Sequence, residues 1–122
     1  MYAASGEHVL AYTVIRPGGL ADKPSAGPAK LHLSRGDVYS GEVTREDVAL
    51  VTVAALIKGK DTDNTTFEVN QVEGIDKTMG SLPDLPAELS HMESSSFDTL
   101  LDGLLTDAEL KKKLPSRNWC RL

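Results

Sequence analysis

The residues that most invite a chemical reading are Arg16-Pro17-Gly18-Gly19-Leu20. They close the apolar run Val9-Leu10-Ala11-Tyr12-Thr13-Val14-Ile15. Continuous rather than alternating hydrophobicity predicts a strand covered on both faces, as in a parallel sheet. Proline removes a backbone donor, and two glycines permit positive φ and the close approach of another group. The strand is therefore expected to stop here and the chain to turn sharply. In open α/β sheets ligands bind beyond the carboxyl ends of strands. A Pro-Gly-Gly bend there suits a flat ligand; a tight structural turn accounts for the same residues.

Other reactive residue types form no recognisable constellation. His8, His32 and His91 lack metal-ligand spacing with one another or with acids, so no metal site is assigned. No serine sits in a Gly-x-Ser-x-Gly elbow. None of Tyr2, Tyr12 and Tyr39 is followed by lysine four positions on, and no catalytic residue is assigned. Arg35-Gly36-Asp37 spells an integrin-binding tripeptide, but it reads as a plain hairpin turn. Cys120 is the single cysteine, which excludes an intrachain disulfide and a cysteine-based metal site and fits a reducing compartment.

The elements that must position the bend can be read around it. Residues 21–29 hold two prolines and a glycine and read as a surface loop. Lys30-Leu31-His32-Leu33 alternates polar and apolar, which predicts a half-exposed strand. A second short strand is expected within Val38–Val43. Thr44 then suits a helix N-cap, with Asp47 placed to complete a capping-box-like pair. Val48, Val51, Ala55 and Leu50, Ala54, Ile57 give two adjacent apolar stripes, which predicts a helix packed hard on a sheet. Lys58-Gly59-Lys60 is a fitting end for it. After an Asp61–Asn64 turn, Thr65-Thr66-Phe67-Glu68-Val69 reads as a strand. The order of elements favours α/β architecture.

Beyond Gly74 the composition changes. Residues 81–96 are rich in proline, serine and acids and read as an exposed extension. Phe97, Leu100, Leu101, Leu104 and Leu105 then make an apolar patch at helical spacing, weakened by Gly103. It suits either a docking segment or a helix packed back on its own domain. Thr106-Asp107-Ala108-Glu109 is a capping box opening a short helix with Leu110 and Leu114, stopped by Pro115. Lys111-Lys112-Lys113 sits in its last turn, where cations complement the helix dipole.

The chain has 122 residues, enough for one core and too few for two full domains. A net charge of -5 repels phosphate backbones and argues against nucleic acid as a partner. No stretch is long and apolar enough for a transmembrane helix, and the first residues show no secretory signal.

Three segments in order resemble one family, the atypical short-chain dehydrogenases/reductases of the NAD(P)H-binding type. Tyr12-Thr13-Val14-Ile15-Arg16-Pro17-Gly18-Gly19-Leu20 resembles the strand and loop before the family's substrate region, and Ala4-Ser5-Gly6 upstream resembles the end of the helix leading into that strand. Gly41-Glu42-Val43-Thr44-Arg45-Glu46-Asp47-Val48-Ala49 is similar to the segment opening its penultimate helix. Asn64-Thr65-Thr66-Phe67-Glu68-Val69 is similar to its final strand. The resemblance implies an α/β fold: the C-terminal portion of a Rossmann-like NAD(P)-binding domain, a parallel sheet with flanking helices. Residues 1–75 would form it, with 76–122 an acidic Ser/Pro extension ending in a short helix. It further implies that Pro17, Gly18, Gly19 and Leu20 contact the nicotinamide half of a dinucleotide. Arg16 would support the turn or face the pocket, and Arg45 and Asp47 would organise the helix start.

The N-terminal glycine-rich βαβ unit that places the pyrophosphate on a helix N-terminus has no counterpart in these residues. The expectation is a truncated oxidoreductase-like protein, inactive alone, binding NADP weakly or not at all. The alternative is a non-catalytic binding or assembly subunit that completes its sheet against a protein partner. The resemblance fits a soluble chain of the cytoplasm or the plastid stroma.

Overall fold

The computed structural model describes residues 10–37, 39–77, 91–92 and 96–113. The strands are β1 (Thr13–Pro17), β2 (Gly19–Ala21), β3 (Leu31–Ser34), β4 (Tyr39–Ser40), β5 (Glu42–Thr44), β6 (Thr65–Gln71), β7 (Asp76–Lys77) and β8 (His91–Met92). The helices are α1 (Arg45–Lys58), α2 (Phe97–Leu100) and α3 (Asp107–Lys112). One sheet has the order β1-β6-β3-β8, and two small sheets pair β2 with β5 and β4 with β7. β1 runs parallel to β6, from Thr13 opposite Thr65 to Pro17 opposite Val69, whereas β3 is antiparallel to β6.

Val14 and Ile15 lie in β1, which stops inside the Arg16–Gly19 segment as expected, but Leu10, Ala11 and Tyr12 are not part of it. It starts at Thr13 and runs through Pro17. The Gly18 amide donates to the Val69 carbonyl at 3.0 Å, extending the ladder. Since Gly18 points its N–H toward β6, the missing N–H of Pro17 faces the other way. That is the orientation an edge strand tolerates. The chain does not turn sharply either; it resumes as β2, parallel to β5. Burial on both faces also fails: Ile15 packs against the core, but Val14 remains 41% exposed. Its partner on the same face, Thr66, is buried, so the exposure of Val14 is that of an edge strand.

The reverse error occurs at β3. All four of its residues are buried, and β6 and β8 flank it in the sheet. Leu31 and Leu33 enter the core with Val43, Val51, Phe67 and Val69. His32 sits edge-on to the Tyr39 ring at 4.7 Å. The expected strand between residues 38 and 43 is split at Gly41 into β4 and β5, which join different sheets.

Helix α1 starts as expected. The Thr44 hydroxyl accepts from the Asp47 amide at 3.0 Å, and Gly59 closes the helix at φ 57°. The second stripe is covered only at Ala54, however. Val51, Ala54 and Ala55 are buried, while Leu56 and Ile57 are 77% and 75% exposed and Leu50 and Val53 are also open. The tail covers part of the remaining core: Leu100 and Leu101 of the α2 segment are buried in the same cluster as Val51 and Phe67. It packs back on its own domain, with Lys58 paired to Asp102. His8, Cys120, Leu114, Pro115 and residues 81–90 lie outside the described residues.

A single carboxylate anchors α3. Thr106 and Glu109 form the reciprocal capping box. The next residue, Asp107, accepts through Oδ1 from Arg35 Nη2 at 2.8 Å and the Thr66 amide at 2.9 Å. Its Oδ2 accepts from the hydroxyls of Tyr12 at 2.8 Å and Thr66 at 2.7 Å. Arg35 is 4% exposed and also donates to the Leu105 carbonyl at 3.0 Å. The Arg-Gly-Asp triplet is therefore a turn whose arginine is consumed inside the molecule. Asp107→Asn should cost about 3 kcal/mol, the scale of leaving one member of a buried ion pair uncompensated. Urea unfolding monitored by circular dichroism measures this, and an unchanged midpoint would remove the anchoring role.

Candidate functional site

The bend closes one wall of a cavity of about 200 Å³ at the carboxyl end of β1, lined on that side by Arg16, Pro17, Gly18 and Gly19. Asp37, Tyr39, Ser40, Gly41, Glu68 and Asn70 complete it. Three of the four proposed contact residues thus come together. Leu20 lies beyond the lining, exposed in β2 opposite Val43.

The glycine requirement has an internal cause. A Cβ on Gly18 would sit 2.0 Å from Asn70 Oδ1 and 2.5 Å from the Gly41 carbonyl oxygen. Gly18 is forced by its own chain's backbone, with no ligand needed to explain it. Gly19 is looser: its Cβ would meet the Gly41 oxygen at 3.5 Å, an ordinary contact. Neither glycine has positive φ. Their amides are also committed, Gly18 to Val69 and Gly19 to the Gly41 carbonyl at 2.8 Å.

Charge is concentrated at one side of the cavity. Arg16 Nη2 lies 3.2 Å from Glu68 Oε2 and 3.7 Å from Asp37 Oδ1. Glu68 Oε1 accepts from the Asp37 amide at 2.7 Å. Asp37 adopts φ 54°, following Gly36 at φ 85°, and this left-handed pair brings the loop back over β6. Burial of Glu68 raises its pKa above the ordinary 4.5, against the lowering effects of the Asp37 amide and Arg16. Asn70, 1% exposed, has its Oδ1 unpartnered beneath Gly18.

A wider cleft of about 520 Å³ shares Ser40 and Gly41 with the cavity and adds Lys23, Glu42, Gln71, Glu73, Gly74 and Asp76. Both depressions therefore flank the carboxyl end of the parallel β1–β6 pair. Arg45 and Asp47 organise the neighbouring loop. Arg45 Nε donates to Asp22 Oδ1 at 2.8 Å, and Asp47 accepts from the Ser25 hydroxyl and the Ala26 amide. Asp47 does not close a reciprocal capping box, because its carboxylate is spent on that loop. Among the described residues no group of three or more His, Cys, Asp or Glu could hold a metal ion.

Sequence reading missed Glu68, Asp37, Tyr39 and Asn70 as cavity residues. For Glu68 and Asn70 a signal was present. They are polar residues two apart inside an apolar strand, and such positions face one side of a sheet together.

A mixed α/β sheet with a cavity at the carboxyl end of its parallel pair is consistent with part of a Rossmann-like NAD(P)-binding fold. Residues 3–58 match the family model described as NAD(P)H-binding. An uncharacterized sugar epimerase of Bacillus subtilis (strain 168), YhfK, is 37% identical over 62 residues, which is 51% of this chain and 27% of that protein. The chain thus spans about a quarter of the curated relative it matches. By these matches residues 3–58 are similar to NAD(P)H-binding proteins, and about half of the chain is similar to part of the protein named as an epimerase.

Two outcomes are expected. Gly18→Ala should destabilise by about 2 kcal/mol, the scale of overpacking a filled site, and Asn70→Ala should recover part of that loss. Gly19→Ala should be nearly neutral, and equal costs for the two glycines in thermal unfolding would contradict the packing account. Glu68 gives a pH signature. A carboxyl with a raised folded-state pKa holds its proton more tightly in the native state. Its effect is absent well below 4.5, and stability is lost as pH rises from about 4.5 through the higher folded value. Glu68→Gln should flatten that part of the stability–pH curve, and an unchanged slope would exclude the shift.

Proposed function

We propose that this chain provides the nicotinamide-side wall of a dinucleotide site in an NAD(P)-dependent oxidoreductase-like protein. The observation that carries this reading is the cavity bounded by Pro17, Gly18 and Gly19 at the carboxyl end of β1, where open α/β sheets receive ligands. The residues present fit the ring end of such a cofactor: a small concave space with rigid backbone on one side and polar groups on the other. Arg16 orients that side through Glu68 and Asp37. When bound, the nicotinamide supplies hydride chemistry, and the protein supplies orientation and electrostatics. Leu20 would meet the ligand from the open rim.

The wider cleft is the proposed place of the second reactant. Its lining of hydroxyl, amide and carboxylate groups suits a small polyhydroxylated substrate, in keeping with the sugar named for the relative. No Gly-x-x-Gly-x-x-Gly turn occurs in the 122 residues, so the groups that hold a pyrophosphate are not offered by this stretch. The 122-residue chain by itself is proposed to bind NADP weakly and to be inactive.

A second reading has its own observation. The outer edge of β1 is unpaired among the described residues, and α1 leaves Leu50, Val53, Leu56 and Ile57 open. Unpaired strand edges and apolar helix faces are surfaces that natural proteins cover. This favours a partner segment adding to the sheet, as in an assembly subunit. A monodisperse monomer with cooperative unfolding would argue against it.

Titration with NADPH and NADH under thermal denaturation tests the first reading, because a ligand that binds only the folded state raises apparent stability. The expectation is a small rise at millimolar cofactor, abolished by bulky substitution at Gly19, and no turnover. A chain that oxidises NADPH unaided would overturn the proposed inactivity.

A further inference from the structure

We infer that the bend cavity selects for the charge of its ligand: it accepts a cationic or neutral ring, the oxidised nicotinamide before the reduced, and rejects phosphate. This rests on the ring-site reading above and goes beyond it, because position in the fold says nothing of charge. Two independent features carry it.

The first is the fate of the backbone donors. Glycine-rich turns bind phosphate by pointing free amides at it. Here the Gly18 amide is spent on the Val69 carbonyl at 3.0 Å and the Gly19 amide on the Gly41 carbonyl at 2.8 Å. The bend therefore faces the cavity without the amides that an anion would need. It offers glycine Cα surface, against which a flat ring can lie.

The second is the charge balance of the lining. Arg16 is the cation of this wall, and it already faces Glu68 at 3.2 Å and Asp37 at 3.7 Å. Two carboxylates against one guanidinium leave an excess of negative charge. A phosphate entering here would lose hydration and meet repulsion. A pyridinium ring would partly replace what the second carboxylate lacks. A dihydropyridine of the same shape gains nothing from that charge. The selectivity also fixes direction: the phosphates of a dinucleotide must leave the cavity away from the Glu68 side.

Three probes separate these terms: 1-methylnicotinamide as the cation, nicotinamide as the neutral ring, and inorganic pyrophosphate as the anion. Each is titrated into the isotopically labelled 122-residue chain, following the amide resonances of Gly18, Gly19 and Gly41. The cation should bind about fivefold more tightly than the neutral ring, the scale of one unit charge pair at ~4 Å in bulk water. Pyrophosphate should leave these resonances in place. Asp37→Asn should reduce the preference, since Asn tolerates the positive φ at this position and preserves the loop. Glu68→Gln should do the same where it folds. Equal affinity for the two rings, or pyrophosphate shifts at Gly18 and Gly19 as large as those from the cation, would overturn the inference while leaving a ligand site at the bend. If none of the three probes moves these resonances, the ring-site reading fails and the charge selectivity fails with it.

Discussion

The crossing of two backbones at Gly18 constrains everything around it. β1 leaves the sheet and passes so close to Gly41 and Asn70 that a methyl group has no space. That contact lets the chain move directly from its pairing with β6 to its pairing with β5. It also sets the depth of the cavity, because Gly41 belongs to the opposite wall. A side chain at Gly18 would push β2 and β5 outward, carrying with them the Thr44 cap of α1. The position of the candidate site and the start of the main helix thus share one steric condition.

Three carboxylates organise the rest by gathering donors that the fold would otherwise leave unmet. Asp47 ties the 25–26 turn to the start of α1, Glu68 ties the Asp37 turn and Arg16 to β6, and Asp107 ties the tail to β1 and β6. Each is buried or nearly so and meets more than one donor or cation. An acidic chain of net charge -5 thus uses part of its negative charge internally, where charge-assisted hydrogen bonds are stronger than neutral ones. Burial makes these bonds costly to break: removing one donor leaves a carboxylate without its compensation.

Local rules made some of this legible in the sequence. Thr44 and Thr106 cap their helices, Gly59 closes α1, and the Arg35–Asp37 turn forms, because each depends on neighbours within a few residues. Phe67 and Val69 were readable as strand for the same reason. What failed depended on partners far along the chain. β3 looked half-exposed, but both of its faces are buried in the fold. The stripe of α1 formed by Leu50, Ala54 and Ile57 looked like core, but of the three only Ala54 is buried. The Pro-Gly-Gly segment ends β1 as it read, but the expected sharp turn is missing because β5 takes up the chain again at Gly19. In the cavity, Gly18 was legible as a place of close approach, although the group that approaches it comes from Gly41 and Asn70 of the same chain, and Glu68 was hidden as an ordinary residue of a strand pattern.

The two ends of the parallel pair explain how the tail bears on the site without touching it. At the amino end, Tyr12 and Thr66 meet at Asp107, joining the start of β1 to the start of β6. At the carboxyl end, Arg16 and Glu68 join the same strands beside the bend. Between them the register is fixed by five paired residues, Thr13 to Pro17. A parallel pair slanted in its hydrogen bonds is slightly less stable per residue than an antiparallel one, and β1 has neighbours on one side only among the described residues. A short edge strand of this kind would fray from whichever end is left loose. Polar clasps at both ends therefore hold Pro17 and Gly18 where the cavity needs them. The C-terminal helix is part of the positioning of the bend although it sits at the opposite end of the β1–β6 pair.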